Sequence, residues 1–450
     1  MKINEKIDIN KKPNTNEKLN TIEKLNTIEK LDTNEKLNTI EKLNTNEKLN
    51  TNEKLNTNEK LNTKEKLDIK EKSELYLCNT YSRNLTLVEG KGSELWDSDG
   101  NRYIDFMSGI AVNIFGVSDT EWADTISNQA HKLSHTSNLY YTEPAANLAE
   151  LLCLLTGMKK VFLCNSGAEA NECAIKAARK YSFDKYGVGR ADIITLKNSF
   201  HGRTLATLTA TGQTAMHTEF QPIVDGFSYV EANNFEDLKQ HFGKATATVM
   251  LELVQGEGGV VPLDKAYVKQ VANLCFQQDV LLIVDEVQTG VGRTGSLYAF
   301  QQYDIKPDIV TSAKGLGGGL PLGAAMFSAK TKDVLSAGSH GSTFGANPIV
   351  AAGAFEILRR IDNTLLQGVT AKGDRIKEAL SNCGKVKSIC GLGLMLGIEV
   401  EGDAKEFVQK AQSKGLLILT AKKKIRLLPA LNITYKLLEE GIAILKEILQ

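Results

Sequence analysis

The chain is most informative first for what it lacks. Its formal net charge is zero, 54 basic residues against 54 acidic, so no global field draws it to nucleic acid or to an anionic membrane. No apolar run approaches the length of a membrane span. The first residues, Met1-Lys2-Ile3-Asn4-Glu5-Lys6, lack the apolar stretch of a secretory signal. The seven cysteines (Cys78, Cys153, Cys164, Cys173, Cys275, Cys383, Cys390) contain no C-x-x-C pair and sit mostly among apolar neighbours. That pattern suits reduced thiols rather than a disulfide framework or a zinc site, and no metal is expected. A soluble, cytoplasmic protein is the expectation.

Two nucleotide motifs are also missing. No G-x-x-x-x-G-K-[ST] occurs, since Lys91, Lys244 and Lys385 follow glycines but precede Gly92, Ala245 and Val386. Gly290-Val291-Gly292-Arg293-Thr294-Gly295 fits a dinucleotide fingerprint by letter only. It follows an acid-bearing loop instead of opening the first strand–helix–strand unit.

Residues 1–73 read as a low-complexity tail. From Asn14 to Leu67 a hexad, Asn-Thr-Asn/Ile-Glu-Lys-Leu, recurs nine times with small variations. Six residues advance a helix by about 600°, so successive leucines fall on different faces and no apolar stripe forms. Glu and Lys never fall at i,i+3 or i,i+4, and the repeat is not a heptad. The tail is expected to be disordered, with an interaction tail or an atypical solenoid as the other readings.

The remainder is 42% apolar over the whole chain's composition and long enough for two domains. Residues 74–125 read as strands around a turn (Leu85 to Trp96, then Asn101 to Phe106), an apolar loop at 109–113, and a helix from Trp122 to Leu133. From Pro144 helices and strands alternate: Ala145–Leu155 helical, Lys160–Cys164 a strand, Ala168–Tyr181 helical. Ile193–Leu196, Ala247–Leu253 and Leu281–Val284 read as buried strands. This alternation predicts a doubly wound α/β sheet over 126–344. After Gly345 the pattern is α+β, with helices at Ile349–Ile361 and Leu437–Leu449. Residues 345–450 are expected to join 74–125 as a smaller domain.

Two apolar runs end on polar residues. Leu281-Leu282-Ile283-Val284 stops at Asp285-Glu286, and Asp308-Ile309-Val310-Thr311-Ser312-Ala313 stops at Lys314, before a glycine-rich turn. Ligands of parallel sheets bind beyond the carboxyl ends of the strands, where both residues would emerge. A lysine holding an aldehyde and an acid facing a pyridine nitrogen suit pyridoxal phosphate. An ordinary ion pair at a sheet edge would read the same way. Asn165-Ser166-Gly167-Ala168 before an alanine-rich helix exposes free N–H groups at the dipole's positive end. That is an anion site, or simply a capped helix start.

Together with Gly109–Asn113, Ser137–Pro144, Asn165–Glu172, Phe200–Thr204, Gln255–Gly259, Asp285–Gly290, Ala313–Gly315 and Gly341–Phe344, these stretches resemble the class III pyridoxal-phosphate aminotransferases. The resemblance runs from about residue 76 to the C-terminus. It implies a fold-type I transferase, aspartate aminotransferase-like, with a large doubly wound mixed-sheet domain and a smaller α+β domain. It implies Lys314 as the covalent anchor and proton carrier, Asp285 on the pyridinium nitrogen and Gln288 at the phenolic oxygen. Gly167 and Ala168 would hold the phosphate by backbone groups, and Phe200 would lie on the ring face. Thr343 would reach the phosphate of a second subunit, which implies a homodimer. Ser342 would lie near the substrate, and Arg203 would clamp a carboxylate. Arg426 would receive the other carboxylate of the oxo-acid, and Glu257 would shield that arginine when a monocarboxylate is bound.

The chain departs from the family pattern in places. The usual Gly-His-x-His-Pro is Gly116-Val117-Ser118-Asp119-Thr120, Leu253 follows Glu252 where proline is common, and Ala346 and Ala430 replace a glycine and a proline. The wording of Ser137–Pro144 and Ser199–Thr204 implies the branch of the family that takes N2-acetylornithine as donor and 2-oxoglutarate as acceptor, by ping-pong half-reactions in arginine biosynthesis. Ornithine, succinylornithine and 4-aminobutyrate are the neighbouring donors. An isomerase on the same fold and a non-catalytic scaffold are the readings from other classes.

Overall fold

The computed structural model describes residues 67–450. The hexad repeat, apart from Leu67, lies outside the described residues. Residues up to Thr86 and residues Leu87–Gln450 form separate units. In the first, Ile69–Tyr76 is a helix whose N-terminus is closed by a reciprocal pair: Asp68 accepts from the Glu71 N–H, and Glu71 accepts from that of Asp68.

The second unit is built on a seven-stranded sheet. Its strands are β1 (Lys160–Cys164), β2 (Asp192–Leu196), β3 (Phe227–Val230), β4 (Thr246–Leu251), β5 (Leu281–Asp285), β6 (Ile309–Ser312) and β7 (Gly323–Phe327). Across the sheet they run β1-β7-β6-β5-β4-β2-β3. All neighbours are parallel except β7, which is antiparallel to both β6 and β1. Every residue of β4, β5, β6 and β7 is buried, which is why β4, β5 and β6 read as apolar runs.

Strands β3 and β7 are absent from the sequence reading. The segment Gly323-Ala324-Ala325-Met326-Phe327 is poor in the β-branched residues that mark a strand. Its small side chains have a packing reason. A Cβ on Gly323 would stand 2.1 Å from the Ser166 carbonyl oxygen, so only glycine lets β7 reach the turn after β1.

Helix α1 (Gly167–Tyr186) follows β1 and buries Ala170, Asn171, Cys173, Ala174, Ile175, Ala177 and Ala178. An alanine face lets a helix lie close on the sheet, and it brings Asn171 over the strand ends.

Two four-stranded sheets come from the chain's flanks. Leu87–Lys91, Glu94–Asp97 and Arg102–Asp105 form an antiparallel set, to which Leu416–Leu417 adds in parallel beside Arg102–Asp105. Val386–Leu392, Met395–Val400, Lys424–Leu427 and Leu419–Ala421 form the other. The closing helix Tyr435–Leu449 buries Leu438, Ile442, Leu445 and Leu449, and Gly441 gives its place to the Phe106 ring. The stretch read as an apolar loop at 109–113 is instead a tight helical turn, Ser108–Ala111, with Gly109 and Ile110 left-handed.

The segment that departs from the family wording gains its own device. Asp119 caps the helix Thr120–Lys132 through the Trp122 N–H at 3.0 Å and meets Arg360 Nη1 at 2.5 Å and Nη2 at 3.0 Å. Burial opposes ionisation of Asp119, but the Arg360 guanidinium and the Trp122 N–H outweigh it and hold the carboxyl below its usual range.

Candidate active site

Strands β5 and β6 are parallel neighbours, with Asp285 opposite Thr311. Asp285 therefore leaves the sheet beside the segment that carries Lys314. Asp285 is buried and accepts three hydrogen bonds: from Val287 N at 2.9 Å on Oδ1, and from Asn171 Nδ2 and His201 Nδ1, both at 2.8 Å, on Oδ2. Asn171 is itself fixed, accepting from Thr311 Oγ1 at 2.7 Å and donating to the His201 carbonyl at 2.7 Å. A carboxylate held from three directions points one way.

Lys314 follows β6 at φ 47°, a left-handed conformation that costs a residue with a Cβ about 1–2 kcal/mol. The residue is half-buried, and its amine makes no hydrogen bond or ion pair to a described residue. Burial lowers its pKa; Asp285, Glu257 and Glu252 pull the other way, and Arg426 adds to the lowering. An amine with a lowered pKa and no partner, facing a fixed carboxylate, is suited to act as a nucleophile and a base.

Arg426, on Lys424–Leu427, is buried and donates through Nη1 to Glu257 Oε1 at 2.5 Å and to Gln288 Oε1 at 3.4 Å. Its Nε is buried without a partner. Gln288 is buried, and a Cβ on Gly256 would stand 2.3 Å from Gln288 Oε1, so the Gly256 loop lies directly on that amide. Phe200 is half-buried with the Arg203 guanidinium 5.9 Å from its ring centre, and Arg203 is otherwise exposed.

At the start of α1, Ser166 accepts from the Glu169 N–H at 3.1 Å. The N–H groups of Gly167 and Ala168 have no partner among the described residues. Val287 packs where a Gly167 side chain would be, its Cγ1 2.7 Å from the Cβ position. Ser342 Oγ accepts from Asn165 Nδ2 at 3.1 Å and from Gly345 N at 3.0 Å, beside that turn. Thr343 is exposed and makes no polar contact with Lys314 or Asp285. With Ser342, Asn165, Glu169, Phe162 and His340 it lines a cavity of about 350 Å³ beside that turn.

The structure thus brings together Lys314, Asp285, Gln288, Glu257 and Arg426, with Phe200 near them through a shared support. Gly167, Ala168 and Ser342 meet at the next turn. Thr343 lies beside that turn. These residues fit pyridoxal phosphate: a free amine, a fixed acid for a ring nitrogen, and unpaired N–H groups at a helix start for a phosphate. Among the described residues no group of three or more His, Cys, Asp or Glu is placed to hold a metal, and no helix is long and apolar enough to cross a membrane.

Sequence reasoning gave no role to His201, Asn171, Glu252 or Arg293. Glu252 carried a readable sign, an acid closing the apolar run 247–251, the same pattern that singled out Asp285. Arg293 was set aside inside the glycine-rich decoy. It is fully buried and donates through Nη1 to the carbonyls of Leu394 (3.1 Å) and Pro429, tying the loop after β5 to the segment after Arg426.

The chain is similar to known proteins. The class-III aminotransferase family model matches residues 78–449. The acetylornithine aminotransferase of Haemophilus ducreyi is 50% identical over 378 residues, 83% of this chain and 96% of that protein. The N-acetylornithine aminotransferase from Stenotrophomonas maltophilia superposes with a TM-score of 0.73 at 36% identity, over 84% of this chain and 97% of that one. The ornithine aminotransferase from Toxoplasma gondii, whose structure has partial occupancy of pyridoxal phosphate at the active site, gives 0.81 at 30% identity, over 87% and 96%.

Proposed function

Because the chain belongs to the class-III aminotransferases, a pyridoxal-phosphate-dependent family, we propose that it transfers the δ-amino group of N2-acetylornithine to 2-oxoglutarate in arginine biosynthesis. The observation that carries this reading is the pairing of buried Arg426 with half-buried Glu257 beside Lys314 and Asp285. The enzyme needs a guanidinium for the second carboxylate of 2-oxoglutarate, and that charge must be covered while the donor, with one carboxylate, is bound.

Bound pyridoxal phosphate supplies an aldehyde that accepts the amino group and a ring that withdraws electrons from the reacting carbon. Asp285 would hold the ring nitrogen, Gln288 the phenolic oxygen, Phe200 the ring face, and the N–H groups of Gly167 and Ala168 the phosphate. Lys314 Nζ, its pKa lowered by burial, would take the proton from the donor's δ-carbon. Arg203 grips the donor's α-carboxylate, for which its planar fork is suited, and Ser342 lines the donor's path. In the first half-reaction Glu257 stays on Arg426. In the second it swings off, and Arg426 takes the carboxylate beside the reacting carbon of the oxo-acid, while Arg203 holds the distal one.

A homodimer belongs to the same proposal, with Thr343 serving the phosphate of the partner's site. Its support is the apolar surface around Thr343: Leu139, Tyr140, Tyr141 and Phe344 are 86, 70, 107 and 61% exposed. So much apolar area at one place marks a contact surface. We also read 126–344 as the cofactor domain and 74–125 with 345–450 as the smaller one, supported by the pairing of Arg102–Asp105 with Leu416–Leu417. A cytoplasmic setting accords with seven unpaired cysteines.

The test is a visible spectrum of the pure protein, titrated first with N2-acetylornithine and then with 2-oxoglutarate. The cofactor band should be bleached by the donor and restored by the acceptor, with one oxo-acid consumed per turnover. Equal or faster bleaching by free ornithine would assign the donor as in the Toxoplasma neighbour. Turnover without oxo-acid would leave an isomerase.

A further inference from the structure

Glu252 takes no part in the mechanism above, yet it sits at the centre of the residues that do. It closes β4, whose last residue Leu251 pairs with Val284, so Glu252 and Asp285 leave neighbouring strands side by side. Glu252 is buried, and its two oxygens are used in opposite directions. Oε1 accepts from the Phe200 N–H at 2.8 Å, and Oε2 accepts from the Gly256 N–H at 3.3 Å.

Each of those backbone groups belongs to a loop that delivers site residues. The first loop carries Phe200, His201 and Arg203. The second carries Gly256, which lies on Gln288, and Glu257, which pairs with Arg426. We propose that Glu252 is a positioning residue for pyridoxal phosphate: its single carboxylate fixes the ring-stacking loop and the loop of the arginine-covering acid relative to each other and to Asp285.

The charges around Glu252 agree with that placement. Burial pushes its carboxyl well above the usual carboxylate range, His201 opposes the rise, and Asp285 adds to it. His201, bonded to Asp285 through Nδ1, has its other ring nitrogen buried without a partner. Burial disfavours a charged His201, while Asp285 and Glu252 favour it and together raise its pKa. Lys314 also faces Glu252 among its charged neighbours. Glu252 therefore touches the site twice, by hydrogen bonds to two loops and by charge on the imidazole that orients Asp285.

Shape sets how each substitution acts. Glu252→Ala frees both N–H groups in a buried place and leaves a gap between the loops. Glu252→Gln keeps one acceptor and turns an NH2 toward the other N–H, so one loop is held and the other is repelled. A control sits three pairs down the same strand from Leu251: Thr248 Oγ1 donates to the Leu281 carbonyl at 2.7 Å, fully buried and away from the site.

The experiment strips the full-length protein of cofactor and titrates it with pyridoxal phosphate, reading fluorescence quenching and the visible absorption maximum. E252A should raise the apparent Kd at least tenfold and displace the maximum, and E252Q should fall between E252A and wild type. In turnover, both KM values should rise more than kcat falls, because both loops hold substrate residues. T248V should lower Tm while leaving the Kd and the maximum in place.

Wild-type Kd and maximum in E252Q and E252A would overturn the inference. So would T248V weakening uptake as much as E252Q at equal loss of Tm. The inference rests on the cofactor reading above, and the two fail differently. Wild-type protein that takes up no pyridoxal phosphate defeats that reading, whereas normal wild-type uptake with unchanged variants defeats this inference alone.

Discussion

Glu257→Ala isolates the proposed switch between the two half-reactions. Glu257 Oε1 lies 2.5 Å from Arg426 Nη1, with the arginine side chain 3% and the glutamate 33% exposed. Two unit charges near 4 Å attract by about 4 kcal/mol at an effective dielectric of 20. Desolvation of Arg426 and the partial exposure of Glu257 offset much of this, leaving about 1–2 kcal/mol, between a buried pair and a surface one. A net 1–2 kcal/mol corresponds to a factor of about 5–30. Without Glu257, the guanidinium is open to any dicarboxylate and uncovered when the donor binds. The kcat/KM for N2-acetylornithine should fall by about 5–30-fold while that for glutamate, run as the reverse donor, holds or rises. Steady-state kinetics on each half-reaction gives the ratio directly. Equal losses for both donors, or no change in either, would refute the switch.

If Thr343 serves the partner's phosphate, Lys314→Ala and Thr343→Ala should complement one another. Each alone should be impaired, the lysine variant by about 10²–10⁴-fold as a lost acid–base group. Unfolded and refolded together in equal amounts, they should regain about a quarter of wild-type turnover, since half the dimers carry one intact site of two. No recovery would place Thr343 outside the partner's site. For Asp119 the carboxyl lies below its unfolded value of 3.8, so its stabilisation is complete above that value and is lost as pH falls through the lower folded one. Asp119→Asn should therefore lower Tm at neutral pH and flatten the acid limb below the unfolded value of 3.8, and parallel limbs in variant and wild type would count against it.

Much of the large sheet was legible because strands buried on both faces leave a one-line trace: the strand expected at Leu281–Val284 runs Leu281–Asp285, and the partly exposed Lys160–Cys164 has the bounds expected. Asp285 and Lys314 stood out for the same reason, as polar residues ending apolar runs. Strand β7 left no such trace, because the space it fills admits only small side chains beside Ser166. Asn171 and His201 could not be assigned from spacing. They lie 114 and 84 residues from the carboxylate they hold, and only the crossing of α1 and the Phe200 loop over β5 brings them there. Arg426 and Glu257 were singled out by resemblance, but their pairing across 169 residues needed the fold.

The reversed strand has a consequence for how the polypeptide is made. β1 is the first strand of the large sheet to leave the ribosome, yet its only partner in that sheet is β7, the last. Until residue 327 has been synthesised, β1 has no strand to bind and β6 shows a bare edge. Such edges are templates for pairing with other nascent chains. A message truncated between β6 and β7 should accordingly give aggregates rather than a smaller folded product, and the N-terminal end of α1 should be among the last parts of the sheet to set.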